Sequence, residues 1–458
     1  MELANTAELR RVPKINPNRA FRCLLGLFVL LTVSLSVLIP AWEANDEPDH
    51  FRNVQTLVSG RWYRMEPGAG YSAHQAPLYY LGLAAIQKAA GLSPFAPKLE
   101  GNPQAPQEGQ YLHNDADSQR RVMLLRLPSI LLGALTIWLT RKLARKSGHS
   151  EWGAVLAAAI VATLPRFVFL SSVINNDTLV ITFGVWATLL GVGLVVDDHV
   201  SMKRLCGFGA VLGLMLEAKL SSIPIVIALA FGVVLARVRD RHREGGGVGP
   251  QSKQALLIAA GILLFSAPVL LSNQLRYGDP LASKASVDYF RDLLPPLVAV
   301  PQTWDWFGSA VGSGFATSFW YVSGWNQFRW KAQTYVPLWF FATVGLFGCL
   351  VKTKISVVAQ NVPPDKLADE GKQATSGIVG LLVGVAIASV SVVWLLATQT
   401  TQWQGRTSFP GLGAFATLIS IGYRRLRIPT LVQFVLPALT LAGTLYAIHT
   451  DVINRYFS

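Results

Sequence analysis

The chain has 458 residues, 51% of them hydrophobic and 14% charged, with a mean hydropathy of +0.38 and a net charge of +14. A soluble domain carries about 25% charged residues, so this composition excludes an ordinary soluble globular protein. Recurring apolar stretches of membrane-spanning length indicate a polytopic, all-α membrane protein instead.

Cys23–Ala41 is the first candidate span and contains no charge. A basic segment precedes it, but no A-x-A-like cleavage site follows, so it reads as a retained helix rather than a signal peptide. Further candidates lie near 122–144, 152–171, 177–196, 204–221, 222–238, 255–272, 335–351, 376–397, 408–423 and 429–448, which predicts about eleven spans in a single transmembrane domain over 1–458. With the N-terminus in the cytoplasm, the inner segments hold 23 of the 40 Lys+Arg and 10 of the 26 Asp+Glu, so that +13 of the net +14 sits on one side. This is the positive-inside distribution. Topology thus accounts for the basic charge, and nucleic acid is excluded as a partner. Cys23, Cys206 and Cys349 fall at inner helix ends and imply no disulfide framework. Low cysteine usage and few acidic inner loops point to a bacterial inner membrane.

Two long outer segments remain, 42–121 and 273–334, and function is expected on that face. In the first, Phe51, Val54, Leu57 and Val58 form an amphipathic helix closed by Gly60. A second helix over 76–92 has Pro77 in its first turn. Both are expected to lie along the membrane surface. The Pro/Gln/Asn-rich stretch 94–118 reads as a loop, and 243–253 and 360–373 as polar inner linkers. In the second outer segment, 303–330 holds five Trp and four Phe. It reads as an aromatic belt at the interface or as a wall for a lipid-linked ligand.

The chemistry-bearing residues begin where the first span ends. Glu43, Asp46, Glu47 and Asp49 fall within seven positions, and His50 follows. Paired carboxylates such as Asp46 and Glu47 can act as a general base or hold a divalent metal; the alternative is a solvated run of charge. "DEPDHF" is followed, 24 residues after its histidine, by "HQAPLYY" at 74–80.

These motifs resemble the GT-C superfamily of membrane glycosyltransferases that use polyprenyl-phosphate-linked sugars, above all the protein O-mannosyltransferase and lipid A aminoarabinose or galacturonosyl transferase branch. The matching positions are Asp46, Glu47, His50 and Phe51, then His74, Pro77 and Leu78, with Gln75-Ala76-Pro77 where that branch has Pro-Pro. "RLPSILLGALTIWLTRKLA" (126–144), "LPRFVFLSSVINNDTL" (164–179), "EAKLSSIP" (217–224), "YGDPL" (277–281), "SFWYVSGW" (318–325) and "QGRTSFP" (404–410) resemble later signatures in the same order, with Thr407-Ser408 in place of Tyr-Leu. The resemblance implies a GT-C-like fold and transfer of a sugar to an extracytoplasmic glycan, lipid or protein acceptor. It implies no metal or other cofactor.

Loss of a lipid phosphate calls for cations at the outer surface. Lys219 and Arg406 fall at predicted outer helix ends, and Arg126 lies just inside one. Each also has a simpler reading. Lys219 could pair with Glu217 or reach the interface, Arg406 could be a rim charge, and Arg126 could pair a first-loop carboxylate. Asp46 is the candidate base of a single inverting displacement, since no nucleophile for a double displacement is evident. Glu47 and His50 would orient it or the acceptor. Asp177, beside Asn176, is a further site candidate or a plain helix cap, and His74 joins the donor-binding set. Two rival readings are a transporter or flippase, which predicts deep charges and inverted repeats, and a polymerase or ligase of polyprenyl-linked glycans, which predicts a large late outer loop.

Overall fold

The computed structural model describes residues 16–96, 116–197, 200–243, 249–301, 303–323, 328–351, 367–401 and 403–456. Most of the stretch expected as a loop at 94–118 lies outside these residues. So do parts of the two inner linkers, and Gly324 and Trp325 of the later signature.

The described chain is helical; its one β pairing is an isolated bridge between Ser323 and Phe328. In order come α1 (Pro17–Leu38), α2 (Glu47–Val58), α3 (Leu78–Ala89), α4 (Ala116–Lys146), α5 (Glu151–Ala162), α6 (Pro165–Leu170), α7 (Asp177–Val196), α8 (Met202–Ala218), α9 (Ile223–Arg243) and α10 (Gly249–Tyr277). Then follow α11 (Ser283–Leu293), α12 (Pro295–Val298), α13 (Val311–Ser318), α14 (Ala332–Gly348), α15 (Leu367–Ala397), α16 (Leu412–Arg425), α17 (Thr430–Gln433), α18 (Val435–Ala447) and α19 (Asn454–Tyr456). Among the described residues seven helices are long and apolar enough to cross a membrane, those built on α1, α4, α7, α9, α10, α15 and α17–α18. The other four predicted spans fall on shorter helices. α5 stops after 12 residues at the Leu164-Pro165 break, α8 and α14 have 17 each, and α16 has 14 because Gly405–Gly411 forms a 3-10 turn ahead of it.

The first outer segment has a core of its own. Phe51, Val54, Leu57 and Val58, the predicted stripe, pack with Tyr79, Tyr80 and Leu83 of α3 and Val122 and Leu125 of α4. α2 is therefore enclosed by protein, and burial of its stripe holds it on the bundle. The second outer segment clamps the first: the Tyr277 hydroxyl accepts from the Met65 N–H at 3.0 Å, and the Tyr289 hydroxyl donates to the Gly70 carbonyl at 2.7 Å. Much of the aromatic run is core. Phe319 meets Trp320, Trp339 and Phe409 at centroid distances of 5.2–5.4 Å, whereas Trp304 stays 92% exposed.

The bundle has two unlike polar ends. At one, Lys146 and Arg204 pair with Asp197, and Arg237 donates to the Leu194 carbonyl. At the other, the C-terminal ends of α1 and α8 meet the N-terminal end of α7 and the first outer segment.

Candidate active site

Asp46 is the residue before α2. Such a position normally accepts a hydrogen bond from the first turn, yet here no side-chain cap bond forms. The backbone is left-handed, with φ +65° and ψ −7°, a conformation uncommon outside glycine and tolerated best by Asn and Asp. Glu47-Pro48 opens the helix, where the proline's missing N–H costs nothing. The turn therefore aims the Asp46 carboxylate away from its own helix. Asn45 Nδ2 donates to Asp46 Oδ2 at 3.2 Å, and the charged partner comes from 360 residues away: Arg406 Nη2 donates to the same oxygen at 2.6 Å.

Arg406 also reaches Asp177, with Nε 3.5 Å from Oδ2. Asp177 opens α7, and its own N–H is capped by the Asn175 side chain at 2.7 Å, which leaves its carboxylate free for long-range contacts. Lys219, the extended residue that ends α8, donates to Asp177 Oδ1 at 2.5 Å. Glu217, the local partner considered for Lys219, accepts instead from the Val269 N–H of α10 at 2.7 Å. The result is a chain of alternating charge: Asp46, Arg406, Asp177, Lys219. Burial by itself would lower the Arg406 pKa, but the Asp177 and Asp46 carboxylates outweigh it and raise the pKa, so the guanidinium is held charged.

Two close packings set the Arg406 turn. A Cβ at Gly405 would lie 2.5 Å from the Phe319 backbone nitrogen, and one at Gly184 of α7 would lie 2.2 Å from the Pro410 carbonyl oxygen. Behind the turn, the fully buried Arg166 donates to Gln404 Oε1 at 3.2 Å and to the Val322 carbonyl. Arg166 was not anticipated as part of this region; nothing in "LPRFVF" distinguishes it from a helix-start arginine.

An open cavity of about 1260 Å³ is lined by Asp46, His50, His74, Asp177, Lys219 and Arg406, with Tyr71 and Gln404 among the further walls. Six of the eight sequence-predicted residues thus meet around one space. A second cavity, about 1310 Å³, touches Asp46, Tyr71 and Gln404 from another side. Its other walls include Asp49, Leu293, Leu294, Leu297, Arg329 and Trp403, with the Arg329 guanidinium 4.8 Å from the Trp403 ring centre. Tyr71, on both cavities, carried no sequence signal.

Glu47 and Arg126 line neither cavity. They form a fully buried pair, with Arg126 Nη2 2.6 Å from Glu47 Oε2 and Nε 2.8 Å from Oε1. Arg126 further donates to the Ser36 and Ile39 carbonyls, and Glu47 accepts from the Ile174 N–H at 3.0 Å. The pair ties the end of α1, the start of α2, α4 and the α6–α7 bend together just behind Asp46.

The two histidines differ. His74 is bonded at both ring nitrogens, to the Tyr71 carbonyl at 2.8 Å and to Gln75 Nε2 at 2.8 Å. Gln75 Oε1 in turn accepts from Asn176, so His74 helps to tie the first outer segment to α7. His50 has Nδ1 bonded to the Tyr80 hydroxyl at 2.7 Å and its ring on the cavity. Burial lowers both pKa values to about 4, so both rings are neutral near pH 7. Burial raises the Asp49 pKa, against the opposing Arg52. Among the described residues no group of three or more His, Cys, Asp or Glu gathers as a metal-ligand set.

Residues 119–271 match the family model described as dolichyl-phosphate-mannose-protein mannosyltransferase. The matched segment contains Arg126, Asp177 and Lys219, but neither Asp46 nor Arg406. No curated protein matches the sequence. Among solved structures, the chain is similar to the archaeal oligosaccharyltransferase AglB from Archaeoglobus fulgidus, in complex with an inhibitory peptide and a dolichol-phosphate. Identity is 13%, coverage is 93% of this chain and 55% of that one, and the TM-score is 0.49, so the chain spans about half the length of that relative. It is also similar to ArnT from Cupriavidus metallidurans in the apo state (15% identity, 94% and 79% coverage, TM-score 0.37). A third likeness is to the S. cerevisiae protein O-mannosyltransferase Pmt1-Pmt2 complex bound to the sugar donor (18% identity, 60% and 34% coverage, TM-score 0.36). The family match over α4 to α10 accords with the GT-C resemblance of the loop motifs.

Proposed function

We propose that this protein is a membrane glycosyltransferase that moves a sugar from a polyprenyl-phosphate donor to an extracytoplasmic acceptor. The observation that carries the reading is the junction of Asp46 with Arg406, Asp177 and Lys219 at the meeting point of two cavities. The donor's phosphate sits at Lys219 and Arg406 in the first cavity. The acceptor hydroxyl approaches Asp46 from the second.

Asp46 takes the acceptor's proton as that oxygen attacks the anomeric carbon. The bond from this carbon to the phosphate oxygen breaks with inversion, and the electron pair leaves on the phosphate. Lys219 and Arg406 stabilise the charge that develops there. The phosphate competes with Asp46 for Arg406, so donor binding releases the carboxylate for its work as base. No step requires a metal. Glu47 and Arg126 hold the loop rather than touch substrate, and His74 positions it through Gln75. The basic end of the bundle is the cytoplasmic one by the positive-inside distribution. On this reading the N-terminus is inside and the site outside, as expected of a bacterial inner-membrane protein.

The test is sugar transfer from defined polyprenyl-phosphate sugars by the protein in detergent or membranes, with Asp46→Asn and EDTA in parallel. Wild-type release of polyprenyl phosphate, loss of turnover with retained donor binding in Asp46→Asn, and insensitivity to EDTA are expected. Full activity of Asp46→Asn would overturn the base assignment. Inhibition by EDTA would overturn metal independence, and failure of the whole donor panel would favour the transport reading.

A further inference from the structure

The hydroxyl of Tyr80 is fully buried, and the hydrogen bond it shares with His50 Nδ1 at 2.7 Å is ambiguous taken alone. Burial resolves the direction. Among the described residues His50 Nδ1 is the one hydrogen-bond partner of the buried Tyr80 hydroxyl, and the Asn53 amide, one turn after His50, is spent on the Ser72 carbonyl at 2.8 Å. A phenol has one proton to donate, and leaving it unpaired in the interior costs the desolvation penalty of an unmade hydrogen bond. The Tyr80 proton therefore goes to His50 Nδ1. An imidazole that accepts at Nδ1 carries its proton on Nε2 when neutral. Among the described residues Nε2 has no hydrogen-bond partner, and the ring lines the first cavity. The charged groups facing it are Asp46 on its own element, Arg406 from the 3-10 turn, Asp177 from α7 and Lys219 from the end of α8.

We infer that Tyr80 is a positioning residue that fixes His50 as the neutral Nε2–H tautomer and so presents one uncharged N–H donor to the donor's phosphate beside Arg406. The inference rests on the transferase reading for the identity of the ligand, but not for the tautomer. The device suits this site. Two cations already balance two carboxylates, and a third cation would compete with the phosphate's partners for Asp46. A neutral N–H adds a hydrogen bond to the leaving group without disturbing that balance.

The experiment has two arms on the intact protein. In the first, ¹⁵N-histidine spectra of the resting protein, with His50 assigned by comparison with His50→Gln, report the tautomer directly. A proton-bearing Nε2 with a bare Nδ1 is expected at pH 7; a proton on Nδ1 overturns the inference whatever the protein's activity. In the second, turnover is compared for wild type, Tyr80→Phe, His50→Gln and the double variant, each with its unfolding midpoint. The Gln amide replaces the Nε2–H donor and does not need Tyr80. Tyr80→Phe is expected to lower kcat about tenfold with donor KM unchanged, as befits one misdirected hydrogen bond. The same change on the His50→Gln background should cost nothing further. An equal loss on both backgrounds would mark Tyr80 as a packing residue only, and unchanged kcat in Tyr80→Phe would refute its role. Absence of turnover in wild type with every donor sinks the transferase reading and leaves the tautomer arm intact.

Discussion

Glu47 is adjacent to the candidate base and by sequence could share its task; its surroundings predict otherwise. The Arg126 guanidinium is wholly buried and, among the described residues, is neutralised only by Glu47, through contacts of 2.6 and 2.8 Å. Glu47→Gln keeps the size of the side chain and removes the charge. It leaves a buried guanidinium without a counter-ion, a defect that costs about 3–5 kcal/mol. Spread over a chain of this size, that corresponds to a fall of about 3–5 °C in the unfolding midpoint. Arg126→Met should cost a similar amount, because it strands the carboxylate and frees the Ser36 and Ile39 carbonyls. The two changes should couple by about 2–3 kcal/mol in a double-mutant cycle. The assay is thermal unfolding in detergent, with turnover measured per folded molecule well below the midpoint. Stability should fall while turnover of the surviving protein stays within a few-fold of wild type. A Glu47→Gln protein with an unchanged midpoint and turnover reduced a hundredfold would refute this reasoning and return Glu47 to the chemistry.

Asp46→Asn suits the left-handed turn, so it should fold normally, lose about 10²–10⁴ in kcat as expected for a missing general base, and bind polyprenyl phosphate more tightly, because Arg406 loses a competing carboxylate; titration with the lipid phosphate checks the sign. Lys219→Met and Arg406→Met should each reduce kcat/KM about 10²–10³-fold, with the loss in kcat if they act on the leaving group, as steady-state kinetics with varied donor will show. The native pKa of His50 is lowered to about 4 by burial, below the ordinary histidine value. Between pH 6.5 and about 4 the unfolded chain therefore binds more protons, and stability falls as pH falls, by about 1.4 kcal/mol per pH unit at most, while above pH 6.5 this group contributes no slope. Unfolding midpoints from pH 4.5 to 8 in wild type and His50→Gln test this, and the variant should show the shallower acid limb. Gly184→Ala places a methyl 2.2 Å from the Pro410 carbonyl oxygen; such overpacking costs about 1–3 kcal/mol and should lower kcat by shifting the Arg406 turn, whereas unaltered kinetics would show that the turn is not set by this contact.

Much of the architecture was legible because a bilayer imposes one-dimensional rules. Apolar length marks spans and basic residues mark the inner side, and both are sums over short windows. The eleven predicted segments all lie on helices, yet four of these helices are shorter than a span, and breaks at Leu164-Pro165, Lys219 and Gly405–Gly411 interrupt three of them. Those breaks are where the site is built: Lys219 and Arg406 stand at two of them. The stripe of α2 was visible in its spacing, but its destination was not. The same periodicity serves a helix on a lipid surface or one packed against α3 and α4, and only the neighbours decide.

By itself the sequence determined the fold class of the protein and the carboxylates, histidines and cations from which a site could be drawn, because each of these depends on local composition and order. The tertiary structure alone decided how they pair. Asp46 meets Arg406 across 360 positions and Lys219 meets Asp177 across 42, while Glu47, one residue from Asp46, turns inward to Arg126. Adjacent carboxylates on one turn point in different directions, and their roles are set by which cation each direction reaches. No pattern along the chain encodes that choice.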